Sequence, residues 1–142
     1  MKNAAPIHYY LAKTEPSVYS IDDLKRDKKT TWDGVTNPQA VRAIKDMQPG
    51  DRVFIYHSGG ISAIVGLAKV LSAGRPDSNN PKSAVVDLEY LFSLDSPVTL
   101  TEVKQSKDFD DWALVRQGRL STMAVPEKFV SWMRKKFPKA GI

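Results

Sequence analysis

The chain contains no cysteine and only two histidines, His8 and His57. Without thiols there is neither a disulfide framework nor a thiolate metal site, and two imidazoles are too few for a histidine metal cluster. No apolar run approaches the roughly 20 residues of a membrane-crossing helix. The opening Met1-Lys2-Asn3-Ala4-Ala5-Pro6 lacks the apolar core of a secretory leader. The pair Gly59-Gly60 has neither the spacing nor the following lysine of a phosphate-binding glycine loop. No internal repeat, low-complexity tract or linker is apparent. These absences predict a cytosolic protein, or a nuclear one in a eukaryote, with no metal, no cofactor and no membrane partner.

What remains is an ordinary globular composition with a basic tilt. The 142 residues are 42% apolar and 26% charged, enough for one domain with a real core rather than a disordered chain. A net charge of +5 and a pI near 9.4 favour polyanionic partners.

Pattern and punctuation predict the elements. Residues 1–6 read as a loose tail, and His8–Thr14 as a strand ended by Glu15-Pro16. Ser20-Ile21-Asp22-Asp23 is a capping box opening a short helix through Leu24, and Arg26-Asp27-Lys28-Lys29 reads as a solvated loop. Thr30 to Ala40 reads as a connection holding Trp32 and Gly34, in which Asn37 caps a helix with Pro38 at its first position. Ala40, Val41, Ile44 and Met47 recur at helical spacing until Pro49-Gly50 stops them. Arg52–His57 and Ala63–Ser72 read as strands, with Gly66 marking a bulge or a close backbone approach. Gly74–Ser83 reads as an irregular loop. Ala84–Leu94 alternates, with Val86, Leu88, Tyr90, Phe92 and Leu94 on one face and Asp87 and Glu89 on the other. A second capping box at Thr99–Glu102 starts a helix, Asp110–Arg116 makes a helical turn or two, Arg119–Val125 is a final strand, and Pro126 begins the last helix. The predicted class is α+β, with a curled, mostly antiparallel sheet.

Few residues invite chemistry. His57-Ser58 sets a base beside a hydroxyl, but neighbours along a strand face opposite ways and no G-x-S-x-G elbow surrounds them. Asp22, Asp23, Asp110 and Asp111 sit at helix starts, where the helix dipole accounts for them. Lys13 is a charge in an apolar strand; it either snorkels from a sheet edge or faces a phosphate or base edge. Arg116 and Arg119 flank Gly118 and are either a phosphate clamp or solvated surface charges. Trp32, beside a helix start with its unpaired N–H groups, is either a core plug or an aromatic wall for a flat ligand.

Several stretches together resemble the EVE-domain family. They are Tyr10-Leu11-Ala12-Lys13-Thr14-Glu15-Pro16-Ser17-Val18-Tyr19-Ser20-Ile21-Asp22-Asp23-Leu24, then Thr31-Trp32-Asp33-Gly34-Val35-Thr36-Asn37-Pro38-Gln39-Ala40. Gly50–Val53, Tyr56–Ser58, Gly66–Val70 and Leu114–Ser121 follow in order, so the likeness spans about residues 9 to 133. Thr14 stands where the family usually has serine, and Gly118 where serine is common. The resemblance implies one PUA-like domain over residues 1–142, with its core at about 9–137: a twisted, barrel-like, mostly antiparallel sheet with helices packed around it. It is similar to the YTH readers of methylated adenine and the SRA readers of modified cytosine. It therefore implies a noncatalytic module that reads a modified cytosine or adenine in nucleic acid, DNA more than RNA, with separate effector proteins as further partners. Carried over by position, Trp32 would be a stacking wall, Asn37 and Gln39 would read base edges, and Lys13, Tyr19, His57 and Ser58 would line the pocket. Arg116 and Arg119 would approach the backbone. The alternative is an enzyme acting on a modified base or nucleotide, with His57 as general base.

Overall fold

A computed structural model describes residues 6–142. Most of the tail expected at residues 1–6 thus lies outside the described residues. The elements run β1 (Tyr9–Thr14), α1 (Ile21–Asp27), β2 (Lys29–Val35), α2 (Pro38–Asp46), β3 (Arg52–His57), β4 (Ala63–Val70), β5 (Arg75–Asp77) and β6 (Asn80–Thr99). α3 (Leu100–Ser106), α4 (Ala113–Arg116), β7 (Thr122–Ala124) and α5 (Glu127–Lys136) complete the chain. The strands form one curled sheet in the order β2-β6-β4-β3-β1-β7, with β5 paired to β6. Among the described residues only the β1–β3 pair is parallel; the other pairs are antiparallel. The helices pack around this sheet, giving the α+β, PUA-like architecture expected.

Local chemistry sets the helix starts. Ser20 accepts from the Asp23 N–H at 3.1 Å while the Asp23 carboxylate accepts from the Ser20 N–H at 2.9 Å. Asn37 Oδ1 accepts from both Gln39 and Ala40 N–H, and Pro38 supplies the preset first turn of α2. α2 buries Ala40, Val41 and Ile44. Thr99 caps α3 by accepting from the Glu102 N–H at 3.1 Å.

Two glycines record close approaches. A Cβ at Gly66 in β4 would stand 2.7 Å from the Phe92 carbonyl and 2.8 Å from Ile21 Cδ1, so its absence lets α1 lie against the sheet. A Cβ at Gly74 would stand 1.8 Å from the Ile44 carbonyl, at the end of α2. Phe129 and Trp132 of α5 form an aromatic cluster with Phe109 and Trp112 that reaches Phe54, with centroids 4.6 to 6.3 Å apart. The buried Asp51 carboxylate accepts from the His8 and Gln48 N–H groups and so ties the approach to β1 to the turn before β3.

The structure corrects several expectations. Arg26 and Asp27, expected in a loop, end α1, and the last strand is confined to Thr122–Ala124. Lys29 to Val35 is a strand, not a loop. Strand β6 is 20 residues long and takes in both ends of the alternating segment, including Asn80–Ser83, expected as irregular, and Asp95–Thr99. Arg75–Asp77 also pairs, making β5 and β6 a hairpin.

Candidate functional site

The ends of β1 and β2 enclose a cleft of about 410 Å³. Its lining comes from Lys13 and Thr14, from Val18 and Tyr19 in the loop before α1, from Thr30 to Val35, and from Ser121 before β7. β2 pairs with β6 in register up to Trp32–Val86 and then slips, resuming at Val35–Ala84. Asp33 and Gly34 thus face a single residue of β6, a bulge made possible by Gly34 at φ +78°. The bulge bends the strand edge beside the tryptophan and forms one wall.

Hydrogen bonds fix the opposite wall. Val18 and Tyr19 N–H both donate to the Glu15 carbonyl at 2.9 Å, closing the loop after β1. Thr14 Oγ1 donates to the Tyr19 carbonyl at 2.8 Å. The Tyr19 hydroxyl donates to Asp27 Oδ2 at 2.9 Å, and its ring meets Trp32 edge to face, centroids 6.2 Å apart at 84°. Burial pushes the Tyr19 phenol above its usual range. Trp32 is 8% exposed, so it belongs to the core and lines the cleft at once. Val18 at the rim is 74% exposed, a large apolar side chain left facing water.

Lys13 supplies charge to the lining. Its Nζ donates to the Gly118 carbonyl at 3.1 Å and lies 5.3 Å from the Tyr56 ring centroid. Among the described residues no carboxylate lies within 4.0 Å of it, and burial lowers its pKa from the ordinary lysine value. The Lys13 N–H also bonds the Ser121 carbonyl at 2.8 Å, which carries the 118–121 segment to the cleft. A half-buried ammonium with a single neutral acceptor retains two donor directions for a ligand.

The residues picked from the sequence divide here. Lys13, Tyr19 and Trp32 meet at the cleft. Asn37 and Gln39 do not line it: the Asn37 oxygen is spent on the α2 cap, and Gln39 lines a separate depression with Tyr10 and Arg42. His57 and Ser58 lie outside it too. His57 Nε2 accepts the Ile21 N–H at 3.0 Å, so the ring serves the first turn of α1, and burial lowers its pKa despite Asp22 nearby. The Ser58 N–H donates to the Thr14 carbonyl at 2.9 Å. Arg116 and Arg119 are exposed beside Gly118, with Arg116 loosely paired to Asp111 at 3.6 Å. Sequence reasoning missed Val18, Thr30, Thr31, Asp33 and Ser121. All but Thr30 lie inside the stretches that carry the family resemblance, and Thr30 directly precedes one of them, so their neighbourhood was legible while their facing was not.

Comparison with known proteins identifies the family and the fold. The EVE domain family model matches residues 8–136. Rat thymocyte nuclear protein 1 is 31% identical over 125 residues, covering 68% of this chain, and the chain spans 55% of that relative's length. The solution structure of Rpa0253 from Rhodopseudomonas palustris superposes with a TM-score of 0.84 at 34% identity, over 91% of this chain and 92% of that one. The crystal structure of the human THYN1 protein in complex with 5-methylcytosine-containing DNA superposes with a TM-score of 0.81 at 25% identity, over 91% and 96% of the two chains. The chain belongs to the EVE-domain family.

Proposed function

We propose that this domain is a noncatalytic nucleic-acid reader that seats one modified base, cytosine or adenine, in the Trp32–Tyr19–Lys13 cleft. The observation that carries the reading is the cleft itself: aromatic and apolar walls with an ammonium whose hydrogen-bond partner is a single backbone carbonyl. Its volume, about 410 Å³, suits a ligand of one base with part of its sugar. The human relative crystallised with 5-methylcytosine-containing DNA supports DNA as the polymer. Stacking is worth ~1–3 kcal/mol per base, against a few kcal/mol to unstack a base from a duplex. Stacking therefore roughly offsets extrusion, and selectivity falls to polar contacts: Lys13 Nζ as donor, with Thr30, Asp33 and Ser121 among the polar residues that line the same cleft. The absence of catalysis is supported by His57, whose acceptor nitrogen already holds the Ile21 N–H and is not poised as a general base.

The test is equilibrium binding to single-stranded and duplex oligonucleotides carrying a panel of modified cytosines and adenines. Lys13→Gln keeps the fold, because the side chain is only half-buried, and should lower affinity for the preferred oligonucleotide about tenfold or more, as loss of a charge-assisted hydrogen bond does. Trp32→Ala should erase the preference, with circular dichroism to verify folding of so buried a site. Equal affinity for all bases in the wild-type protein would overturn the reading.

A further inference from the structure

A second depression of about 400 Å³ lies next along the chain from the cleft, lined by Thr36, Pro38, Val41, Arg42, Lys45 and Lys82. Val35 lines the cleft and Thr36 lines this groove, so the two share a boundary at the end of β2. Arg42 and Lys45 come from the outer face of α2, and Lys82 comes across from the start of β6. All three are exposed, and none has a carboxylate within 4.0 Å among the described residues. No lining residue is acidic. By contrast Arg26, Arg75 and Arg116, elsewhere on the surface, are each tied to an aspartate.

We infer that this groove is the track for the phosphodiester backbone of the strand whose base enters the cleft, an assignment that rests on the proposed reader function. Three cations around one acid-free hollow match successive phosphates, and the Thr36 hydroxyl adds an uncharged donor at the junction with the cleft. Such contacts hold the strand in place without reading sequence. They act by releasing counterions, so they appear in the salt dependence of binding rather than in discrimination among bases.

The experiment compares Arg42→Ala/Lys45→Ala/Lys82→Ala with the control Lys104→Ala/Lys135→Ala/Lys139→Ala, which removes the same charge from α3 and the C-terminal side. Binding of one modified and one unmodified duplex is measured from low to physiological salt. Removing a cation that neutralises one phosphate should flatten the plot of log K against log salt by about 0.9. The groove variant should therefore flatten it by about two to three and keep the wild-type preference between duplexes, while the control changes the slope by less than about one. Equal flattening by both variants, or an unchanged slope in the groove variant, would overturn the assignment. So would loss of the base preference along with the slope. If the wild-type protein shows no preference between the duplexes, the reader function fails, and the two slopes still decide whether the groove carries phosphates.

Discussion

At the scale of single residues, the sequence offered alternatives that the structure joins rather than chooses between. Trp32 as core plug and Trp32 as cleft wall both describe its place: the indole is packed in the core and also meets Tyr19 edge to face at the cleft. Lys13 was visible as an anomaly because a charge inside an apolar strand needs an outlet; that outlet is the Gly118 carbonyl, a partner 105 residues away that no local pattern could reveal. His57 was legible as a polar strand end, and its partner was not. The Ile21 N–H to His57 bond gives a pH prediction. Burial lowers the folded-state pKa below the usual ~6.5, so just below that pH the unfolded chain binds the additional proton. Stability should therefore fall as pH drops through about 6.5 and level off once the folded-state value is passed. Denaturant titrations between pH 7.5 and 5, about the range in which carboxylates stay ionised, should show this slope in the wild type and a shallower one in His57→Gln. Identical slopes would remove His57 from the account.

At the scale of elements, strong patterns transferred to the structure and weak ones did not. Both helix caps near the cleft and the buried face of α2 were readable, because they depend on neighbours a few residues apart. β2 was not, because it is an edge strand with only Trp32 and Val35 buried and its partner lies dozens of residues further on. The two ends of β6 were hidden by Pro81, Asp95, Ser96 and Pro97, residues that mark loops; each falls in a register shift, between Asn80 and Ala84 paired to β5 or between Ser93 and Val98 paired to β4. Gly66 interrupts an apolar strand pattern, and it is at once next to a register shift and beneath a close approach. Gly66→Ala presses against the Phe92 carbonyl and Ile21, and since the first is backbone it cannot swing aside. The expected cost is about 1–3 kcal/mol of stability, measurable by denaturant unfolding. Because Ile21 directly follows the Tyr19–Ser20 segment, base binding should weaken as well, although Gly66 does not line the cleft. An unchanged midpoint would mean that α1 yields without strain.

At the scale of the whole molecule, the net charge of +5 suggested a polyanion, but composition could not say where the charge would act. The fold shows where part of it lies: Lys13 stands within the cleft, Arg42, Lys45 and Lys82 ring the neighbouring groove, and Arg116 and Arg119 flank Gly118. Among the described residues no helix is long and apolar enough to cross a membrane. The central claim is that a base lies against Trp32, and the indole N–H signals of the three tryptophans test it most directly. In a proton–nitrogen spectrum titrated with an oligonucleotide carrying the preferred modified base, the Trp32 signal should shift strongly. That of Trp112, whose Nε1 donates to the Ala124 carbonyl at 2.9 Å in β7, should stay in place. A Trp32 signal that stays put while backbone signals around the basic groove move would contradict the account, leaving a surface that binds phosphate and no base in the cleft.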